Sequence, residues 1–355
     1  MATFRLILRG VAHLGELELL EELPRHRRFQ TRRDPFLDDT EGEFIERFRL
    51  TKNATLTLLN KIVHLLPTSQ NNRGCRIPPK LQLLVNLRYF ATGDLQLSMG
   101  DCSDMSQQAV SNCIKTVTYA ICQLSADYIK FPGPAEAAEE YNIMRQFQEV
   151  AGMPGVIGCL DGTLIRIRNP GGPDAELYRG RKGYFALNVM TVCDPNIMIS
   201  NIIVNWPGSA HYSRIFRESD MCDALERGEY RGVLLGDKGY RCTSYLFTPL
   251  QQPETARERW YNYAHTRTRN LIERTFGILK RRFAVLDKSL QTKLSTSKRI
   301  ITACAILHNI AILHNIPLVA EEEFNNEDDH ANDVDADDEV GLLGARRAHY
   351  IHRHF

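Results

Sequence analysis

The pattern of apolar and polar residues predicts a helical first part and a sheet-containing second part. Up to about residue 130, apolar positions recur at helical spacing, and the runs stop at Gly93 and at the sequence FPGP over 131–134. One more helix over 135–150 is followed by short apolar or alternating runs that are typical of strands. Helical spacing returns over 254–285. We therefore predict an α/β fold, a mixed sheet flanked by helices, preceded by an all-α segment.

This pattern divides the chain into four regions. Residues 321–339 hold eleven of the 43 acidic residues and none of the 44 basic ones, with too few apolar residues to fold alone. The predicted regions are an N-terminal helix and basic segment (1–40), a helical domain (41–131), a sheet-containing α/β domain (132–318), and an acidic, disordered tail with a basic end (319–355).

Positive charge is concentrated in one helix-forming segment, although the formal net charge of the chain is only +1. Residues 257–299 carry twelve Lys or Arg and three acids. Such a surface suits a polyanion, while a solvated helix face is the alternative. The nine cysteines form no C-x-x-C pair, which indicates a reducing compartment. The absence of a long apolar stretch predicts that the protein is not a membrane protein.

Three carboxylates stand out by their positions. Asp161 and Asp237 each follow an apolar, strand-like run and lie beside a glycine, where another group can approach closely. Glu273 lies on the basic helix, next to its apolar stripe and four residues after Arg269. Taken singly, the aspartates suit turns or caps, and Glu273 suits an ion pair with Arg269.

Taken together, the three carboxylates suit a different chemistry. Mg²⁺ and Mn²⁺ prefer oxygen ligands and retain several bound waters. Two such ions can activate a water or hydroxyl group and stabilise the leaving oxygen of a phosphodiester. Asp161, Asp237 and Glu273 are therefore the candidate metal ligands and catalytic residues.

An ordered set of motifs resembles the PIF/Harbinger transposase family, and more closely the Harbinger transposase-derived nucleases. The motifs are GCLDGT, NWPGSAHYSRIFRES, LLGDKGY, TPL, YNYAH, RNLIERTFGILKRRF and ACAILHN. The resemblance implies a ribonuclease-H-like nuclease domain over 132–318, with a D-D-E metal site at the three carboxylates named above, and a helix-turn-helix-like DNA-binding domain over 41–131. The chain departs from the family pattern at Leu164, where a histidine is common, and at Tyr212, where an aspartate is common. His211 and Tyr212 are candidates for groups next to the metal ligands.

The helical region contains a candidate DNA-reading element. DLQLSMGDCSDMSQQAVSNCIKTV has helix-turn-helix spacing, with Ser106 as the cap of the second helix. A plain amphipathic helix in a bundle is the alternative. The outward-facing residues, which suit base edges or phosphates, are Gln107, Gln108, Ser111, Asn112 and Lys115. Phosphate contacts near the acids are expected from Lys238, Arg269, Lys280 and Arg281.

The resulting hypothesis is a Mg²⁺- or Mn²⁺-dependent DNA endonuclease derived from, or still acting as, a transposase. The alternative is a DNA-binding or adaptor protein that has lost catalysis, which the tyrosine at position 212 favours. DNA is the expected partner, and a second copy of the chain is a further candidate. The family resemblance also implies a nuclear location, with the cytoplasm as a second location, and a Myb-like DNA-binding partner protein.

Overall fold

The computed structural model describes residues 33–67, 77–318 and 342–355. The predicted N-terminal helix and the acidic segment 321–339 lie outside these ranges. The chain divides into two compact units, Met1–Asp39 and Thr40–Phe355. In the first unit, helix α1 (Pro35–Asp38) starts after Asp34, whose side chain accepts a hydrogen bond from the backbone of Phe36 at 3.1 Å.

The first part of the second unit is helical, as predicted. Gly93 ends one helix in a left-handed conformation (φ 63°), and the Ser106 hydroxyl caps another by accepting a hydrogen bond from the backbone of Ala109 at 3.2 Å. The elements are α2 (Glu41–Phe48), α3 (Lys52–Ile62), a 3₁₀ turn (Val63–Leu65), α4 (Pro79–Thr92), α5 (Gln96–Cys102), α6 (Gln107–Cys122) and α7 (Ser125–Tyr128).

A mixed five-stranded sheet forms the centre of the second part. The spatial order of its strands is β3-β2-β1-β4-β5. The β1–β2 and β2–β3 pairs are antiparallel, and the β1–β4 and β4–β5 pairs are parallel. The strands are β1 (Val156–Arg166), β2 (Ala186–Cys193), β3 (Ile199–Pro207), β4 (Val233–Leu235) and β5 (Leu246–Phe247). This mixed α/β architecture is consistent with the predicted ribonuclease-H-like fold.

Helices cover both faces of the sheet, because neighbouring strand residues point to opposite sides. Cys159 and Leu235 lie in one hydrophobic cluster, while Leu160 and Leu234 lie in the other. The remaining elements are α8 (Ala137–Ala151), a 3₁₀ turn (Ala175–Tyr178), α9 (Tyr212–Arg217), α10 (Asp220–Glu226), α11 (Ala256–Arg282), a 3₁₀ turn (Ala284–Leu286), α12 (Leu294–Leu313) and α13 (Leu342–His354). Helices α8, α11 and α13 contribute to the first cluster, and α9 and α10 to the second.

The two predicted domains are joined by direct contacts into one unit. The side-chain amide of Asn309 on α12 donates to the carbonyl of Tyr128 at 2.7 Å and to that of Ile199 at 2.7 Å. The Asn309 side-chain oxygen accepts from the Ile199 backbone at 2.8 Å. The predicted boundary at 131/132 falls between α7 and α8, within this single compact unit.

Two expectations differ from the structure. Residues 156–166 form one continuous strand, so Asp161 lies in the middle of β1 and not at the end of a short strand. The sequence groups the basic end of the chain with the disordered tail, yet residues Leu342–His354 form helix α13. The hydroxyl of Tyr350 donates to the carbonyl of Pro154 at 2.5 Å, and Ile351 is buried, so packing against the sheet domain stabilises this helix.

No helix in the described ranges is long and apolar enough to cross a membrane. The cysteines within these ranges are all free thiols.

Candidate active site

Asp161 lies within strand β1, and Asp237 lies two residues after the end of the neighbouring parallel strand β4. Cys159 of β1 is paired with Leu235 of β4, and each aspartate follows its paired residue by two positions. Asp161 is 5% exposed, and its Oδ1 accepts a hydrogen bond from the Gly162 backbone at 2.7 Å. The apolar runs before both acids therefore bring them to the same edge of the parallel pair.

The glutamate reaches this edge from helix α11. A capping box fixes the start of the helix, where Thr255 and Glu258 each accept a hydrogen bond from the other's backbone. Ile272 is fully buried against the sheet, and the adjacent Glu273 is 34% exposed at its side chain. The burial of one face of α11 thus orients Glu273 towards the aspartates.

The guanidinium of Arg269 joins the acids of two different elements. Its Nη1 donates to Asp161 Oδ2 at 3.0 Å, and its Nη2 donates to Glu273 Oε1. The Arg269 side chain is only 13% exposed. Asp161 and Glu273 therefore place oxygens around the same cation, although they lie on a strand and a helix.

The charge of Asp237 acts on the same arginine. Burial by itself lowers the pKa of Arg269, but the negative charges of Asp161, Glu273 and Asp237 outweigh burial, and the net pKa is raised. All three predicted acids therefore act on the charge of Arg269, and two of them, Asp161 and Glu273, contact it directly.

Two tyrosines border these acids. The ring of Tyr212 lies against Gly162, where any Cβ would overlap it. Burial and the nearby charge of Asp161 raise the pKa of Tyr212. Burial and the charge of Asp161 also raise the pKa of Tyr240, whose hydroxyl is buried with no hydrogen-bond partner among the described residues. Both rings remain protonated at neutral pH, so they add hydrogen-bonding groups without charge.

His211 is a backbone cap in this structure. Its Nδ1 accepts a hydrogen bond from the Ser213 backbone at 3.3 Å at the start of α9. The preceding carbonyl of Ala210 accepts from the Asn188 side chain at 2.8 Å. These contacts fix the segment that brings Tyr212 to Gly162.

The donor set fits a divalent cation in its chemistry. Carboxylate oxygens are the ligands that Mg²⁺ and Mn²⁺ prefer, and Asp161 and Glu273 already share a cation in Arg269. The Tyr240 hydroxyl is buried without a hydrogen-bond partner among the described residues, and the charges of Asp161 and Asp237 act on it. Within the described ranges, no group of three or more His, Cys, Asp or Glu side chains is arranged around one metal position. The guanidinium of Arg269 occupies the space between Asp161 and Glu273.

The predicted DNA-binding residues fall into several places. Lys238 is exposed directly after Asp237. Lys280 and Arg281 line a cavity of about 850 Å³ together with residues of α2 and α4. Gln108 donates to Asn112 at 3.0 Å on the exposed side of α6. The other three predicted α6 residues, Gln107, Ser111 and Lys115, line a second cavity of about 250 Å³.

Sequence reasoning assigned Arg269 to phosphate binding, whereas its side chain lies between two acids. The spacing of four residues indicated the pair with Glu273, but no local pattern connects Arg269 with Asp161, 108 residues earlier. Sequence reasoning also missed Tyr240 as a neighbour of the acids, although it ends the motif LLGDKGY.

The mixed α/β fold is consistent with the sequence comparison. Residues 160–309, which include all three acids, match the DDE superfamily endonuclease family. The human protein named "Putative nuclease HARBI1" is 34% identical over 275 residues, which cover 76% of this chain and 78% of that protein. Its counterpart in Xenopus laevis is 31% identical over 278 residues, with the same coverage. The Arabidopsis thaliana protein named "Protein ALP1-like" is 22% identical over 243 residues, 64% of this chain and 59% of that protein.

Residues 160–309 therefore form a DDE superfamily endonuclease domain. The chain belongs to the family of Harbinger transposase-derived nucleases. No solved structure matches it.

Proposed function

We propose that the protein is a Mg²⁺- or Mn²⁺-dependent DNA endonuclease whose metal ligands are Asp161, Asp237 and Glu273. The observation that carries this proposal is the shared guanidinium, because Asp161 and Glu273 hold a single cation between strand β1 and helix α11. Bound divalent ions supply an activated water or hydroxyl group and stabilise the leaving oxygen of a phosphodiester.

Arg269 has a distinct role in this proposal. While it lies between the acids it balances their charges, which otherwise repel one another in a largely buried place. We propose that a bound metal ion displaces its guanidinium, which is then able to bind a DNA phosphate bidentately. The same side chain then serves as the internal counter-ion and as a phosphate contact.

Tyr212 and Tyr240 shape the site without adding charge. The Tyr212 ring covers Gly162 beside Asp161, and this position keeps bulk water from one side of the carboxylate. The buried Tyr240 hydroxyl, which has no partner among the described residues, is proposed to donate a hydrogen bond to a water beside the acids. A protein that has lost catalysis is the second candidate function, because Tyr212 stands where the family pattern carries an aspartate. The three retained acids and their common counter-ion favour the enzyme.

DNA engagement is proposed to extend beyond the acids. Helices α5 and α6 have helix-turn-helix spacing, with the break at 103–106, and Gln108 and Asn112 are exposed on α6. Lys238, Lys280 and Arg281 are proposed phosphate contacts. A nuclear location, a Myb-like partner protein and a homodimer remain part of the proposal, supported by the family resemblance.

A nicking assay tests the proposed activity. Purified protein is incubated with supercoiled DNA and Mn²⁺, and conversion to the open-circular form is compared between the wild type and Asp237→Asn. The matched control is Asp174→Asn, which removes an exposed acid before the 3₁₀ turn of residues 175–178. We expect the wild type and the control to nick DNA and Asp237→Asn to lose the activity. If all three proteins bind DNA and none nicks it above background, the adaptor function is correct.

A further inference from the structure

A cleft of about 250 Å³ lies where helix α6 meets the sheet domain. Gln107, Ser111 and Lys115 line it from α6, while Arg168, Gln291 and Lys293 line it from the sheet domain. Residues predicted to read DNA and residues of the nuclease half therefore face the same space.

The cleft carries positive charge without a matching acid. Its lining includes three cations, Lys115, Arg168 and Lys293, and no Asp or Glu. None of the three forms an ion pair within residues 33–67, 77–318 and 342–355, and all three side chains are exposed. Cations gathered in a concave space focus a positive potential and attract an anion.

Backbone hydrogen bonds fix the chain segment that carries Arg168. Arg168 donates its backbone N–H to the carbonyl of Leu290 at 3.0 Å, and Leu290 donates to the carbonyl of Arg166 at 2.9 Å. This pairing ties the end of β1 to the segment before α12, and α12 in turn packs against α6. The cleft is therefore formed by regular elements that are fixed to each other.

Two long helices begin at the cleft. Gln107 is the first residue of the sixteen-residue α6, and Lys293 directly precedes the twenty-residue α12. No side chain among the described residues caps the start of α12, and Lys293 and Thr296 from this start line the cleft. Helix starts carry partial positive charge and add to the attraction for an anion.

We propose that this cleft binds a phosphate of the DNA backbone, so that α6 and the nuclease half hold the same DNA segment. The inference rests on the proposed function, since it takes DNA as the substrate. Of the two roles expected from the sequence for Gln107, Ser111 and Lys115, base-edge reading and phosphate contact, it selects phosphate contact. Backbone contacts set the position of DNA relative to the acids without selecting its sequence.

The test measures DNA binding by the full-length protein in EDTA, so that cleavage is not needed. The cleft variant carries Lys115→Gln, Arg168→Gln and Lys293→Gln. The control carries Lys130→Gln, Arg217→Gln and Arg353→Gln, which remove three exposed cations that do not line the cleft. Fluorescence anisotropy gives Kd against salt concentration for two short duplexes of unrelated sequence, and circular dichroism checks that each variant is folded.

We expect the cleft variant to bind both duplexes about tenfold or more weakly than the control. The slope of log Kd against log salt concentration should be smaller by about 1 for each phosphate that the variant no longer neutralises. Three results overturn the proposal: equal weakening in both variants, weakening for one sequence only, or no DNA binding by the wild type. A cleft that binds inorganic phosphate without affecting DNA affinity also overturns it, because its ligand is then a small molecule.

The nicking assay tests the nuclease and the binding assay tests the cleft, so either proposal can be refuted without the other. Loss of binding in the cleft variant together with an inactive wild type refutes the nuclease and leaves the cleft proposal standing. Metal-dependent nicking together with unchanged DNA binding by the cleft variant supports the nuclease and refutes the cleft proposal.

Discussion

At the scale of single residues, the arrangement of the acids depends on Arg269. The side chains of Asp161 and Arg269 are 7% and 13% exposed, so neither charge is well solvated. The poorly solvated charge of Asp161 is stabilised by Arg269, and that of Arg269 is stabilised by Asp161 and Glu273. This mutual dependence makes the arginine the most informative residue of the site.

Replacement of Arg269 by glutamine is expected to destabilise the protein when no divalent metal is present. The free energy of unfolding should fall by about 2 to 3 kcal/mol, because nearby carboxylates lose their counter-charge in a largely buried place. Urea denaturation in EDTA measures the change. Arg274→Gln, an exposed site on the same helix, is the control and should change stability by less than about 0.5 kcal/mol.

Mn²⁺ should then raise the Tm of Arg269→Gln by more than it raises that of the wild type, because the ion no longer competes with the guanidinium. Equal stability losses in Arg269→Gln and Arg274→Gln would show that Arg269 does not balance the acids.

Gly162 allows the close approach of Tyr212 to the site. A Cβ at this position would overlap the Tyr212 ring, so Gly162→Ala should cost about 1 to 3 kcal/mol of stability through overpacking. In the double variant Gly162→Ala/Tyr212→Ala the clash is absent, and the total loss should be smaller than the sum of the single losses. Chemical denaturation of the four proteins provides the comparison, and additive losses would argue against this contact.

At the scale of elements, hydrogen bonds from side chains of helix α12 connect the sheet to the helical region. His308 and Asn309, from the motif ACAILHN, are both fully buried. His308 Nε2 hydrogen-bonds with the carbonyl of Ile197 at 2.8 Å, while Asn309 bonds to both backbone groups of Ile199. The helix thus fixes the turn before β3 and the first residue of that strand.

Burial lowers the pKa of His308 to about 4, below its ordinary value of 6.5. The unfolded chain therefore binds a proton more readily than the folded protein between about pH 6.5 and 4, and the stability contributed by neutral His308 is lost as the pH falls through this range. His265 on α11 has the same pKa of about 4, again from burial.

We expect His308→Gln to flatten the decline of stability on acidification. Each neutral buried histidine contributes up to about 1.4 kcal/mol per pH unit in this window. Unfolding free energies from pH 7 to pH 4.5 measure the slope, with His314→Gln, an exposed residue after α12, as the control. An unchanged slope in His308→Gln would mean that His308 is not held neutral.

Local patterns predicted the elements well, and the contacts between them poorly. The helical period of α11 and the apolar runs before Asp161 and Asp237 are properties of neighbouring residues, and the structure contains these elements. The short apolar run before Asp161 predicted this residue at a strand end, whereas pairing with β2 continues the strand through it. The contact of Arg269 with Asp161 depends on how α11 packs across the sheet, which no local pattern records.

At the scale of the whole molecule, the C-terminal helix is part of the sheet domain. Arg347 on α13 donates to the carbonyl and the hydroxyl of Thr248, both at 3.2 Å, and Tyr350 contacts Phe247 edge-on with a ring-centroid distance of 5.0 Å. Tyr261 of α11 has ring contacts with both Tyr350 and Phe355. The last residues thus cover aromatic core side chains that lie close to the start of α11.

Removal of residues 342–355 is expected to lower the free energy of unfolding by about 3 to 5 kcal/mol, because several large apolar side chains lose their burial. Calorimetry of the truncated protein measures the loss. Arg346→Ala, an exposed site on the same helix, should leave the Tm nearly unchanged. A truncated protein with the wild-type Tm would show that α13 is not part of the folded core.

The central claim is that Asp161, Asp237 and Glu273 form one divalent-metal site. Electron paramagnetic resonance measures it most directly, because free Mn²⁺ gives a strong signal that binding attenuates. We predict saturable Mn²⁺ binding by the wild type and by Asp174→Asn, and loss of that binding in both Asp237→Asn and Glu273→Gln. Unchanged Mn²⁺ affinity in Asp237→Asn and Glu273→Gln would contradict the claim.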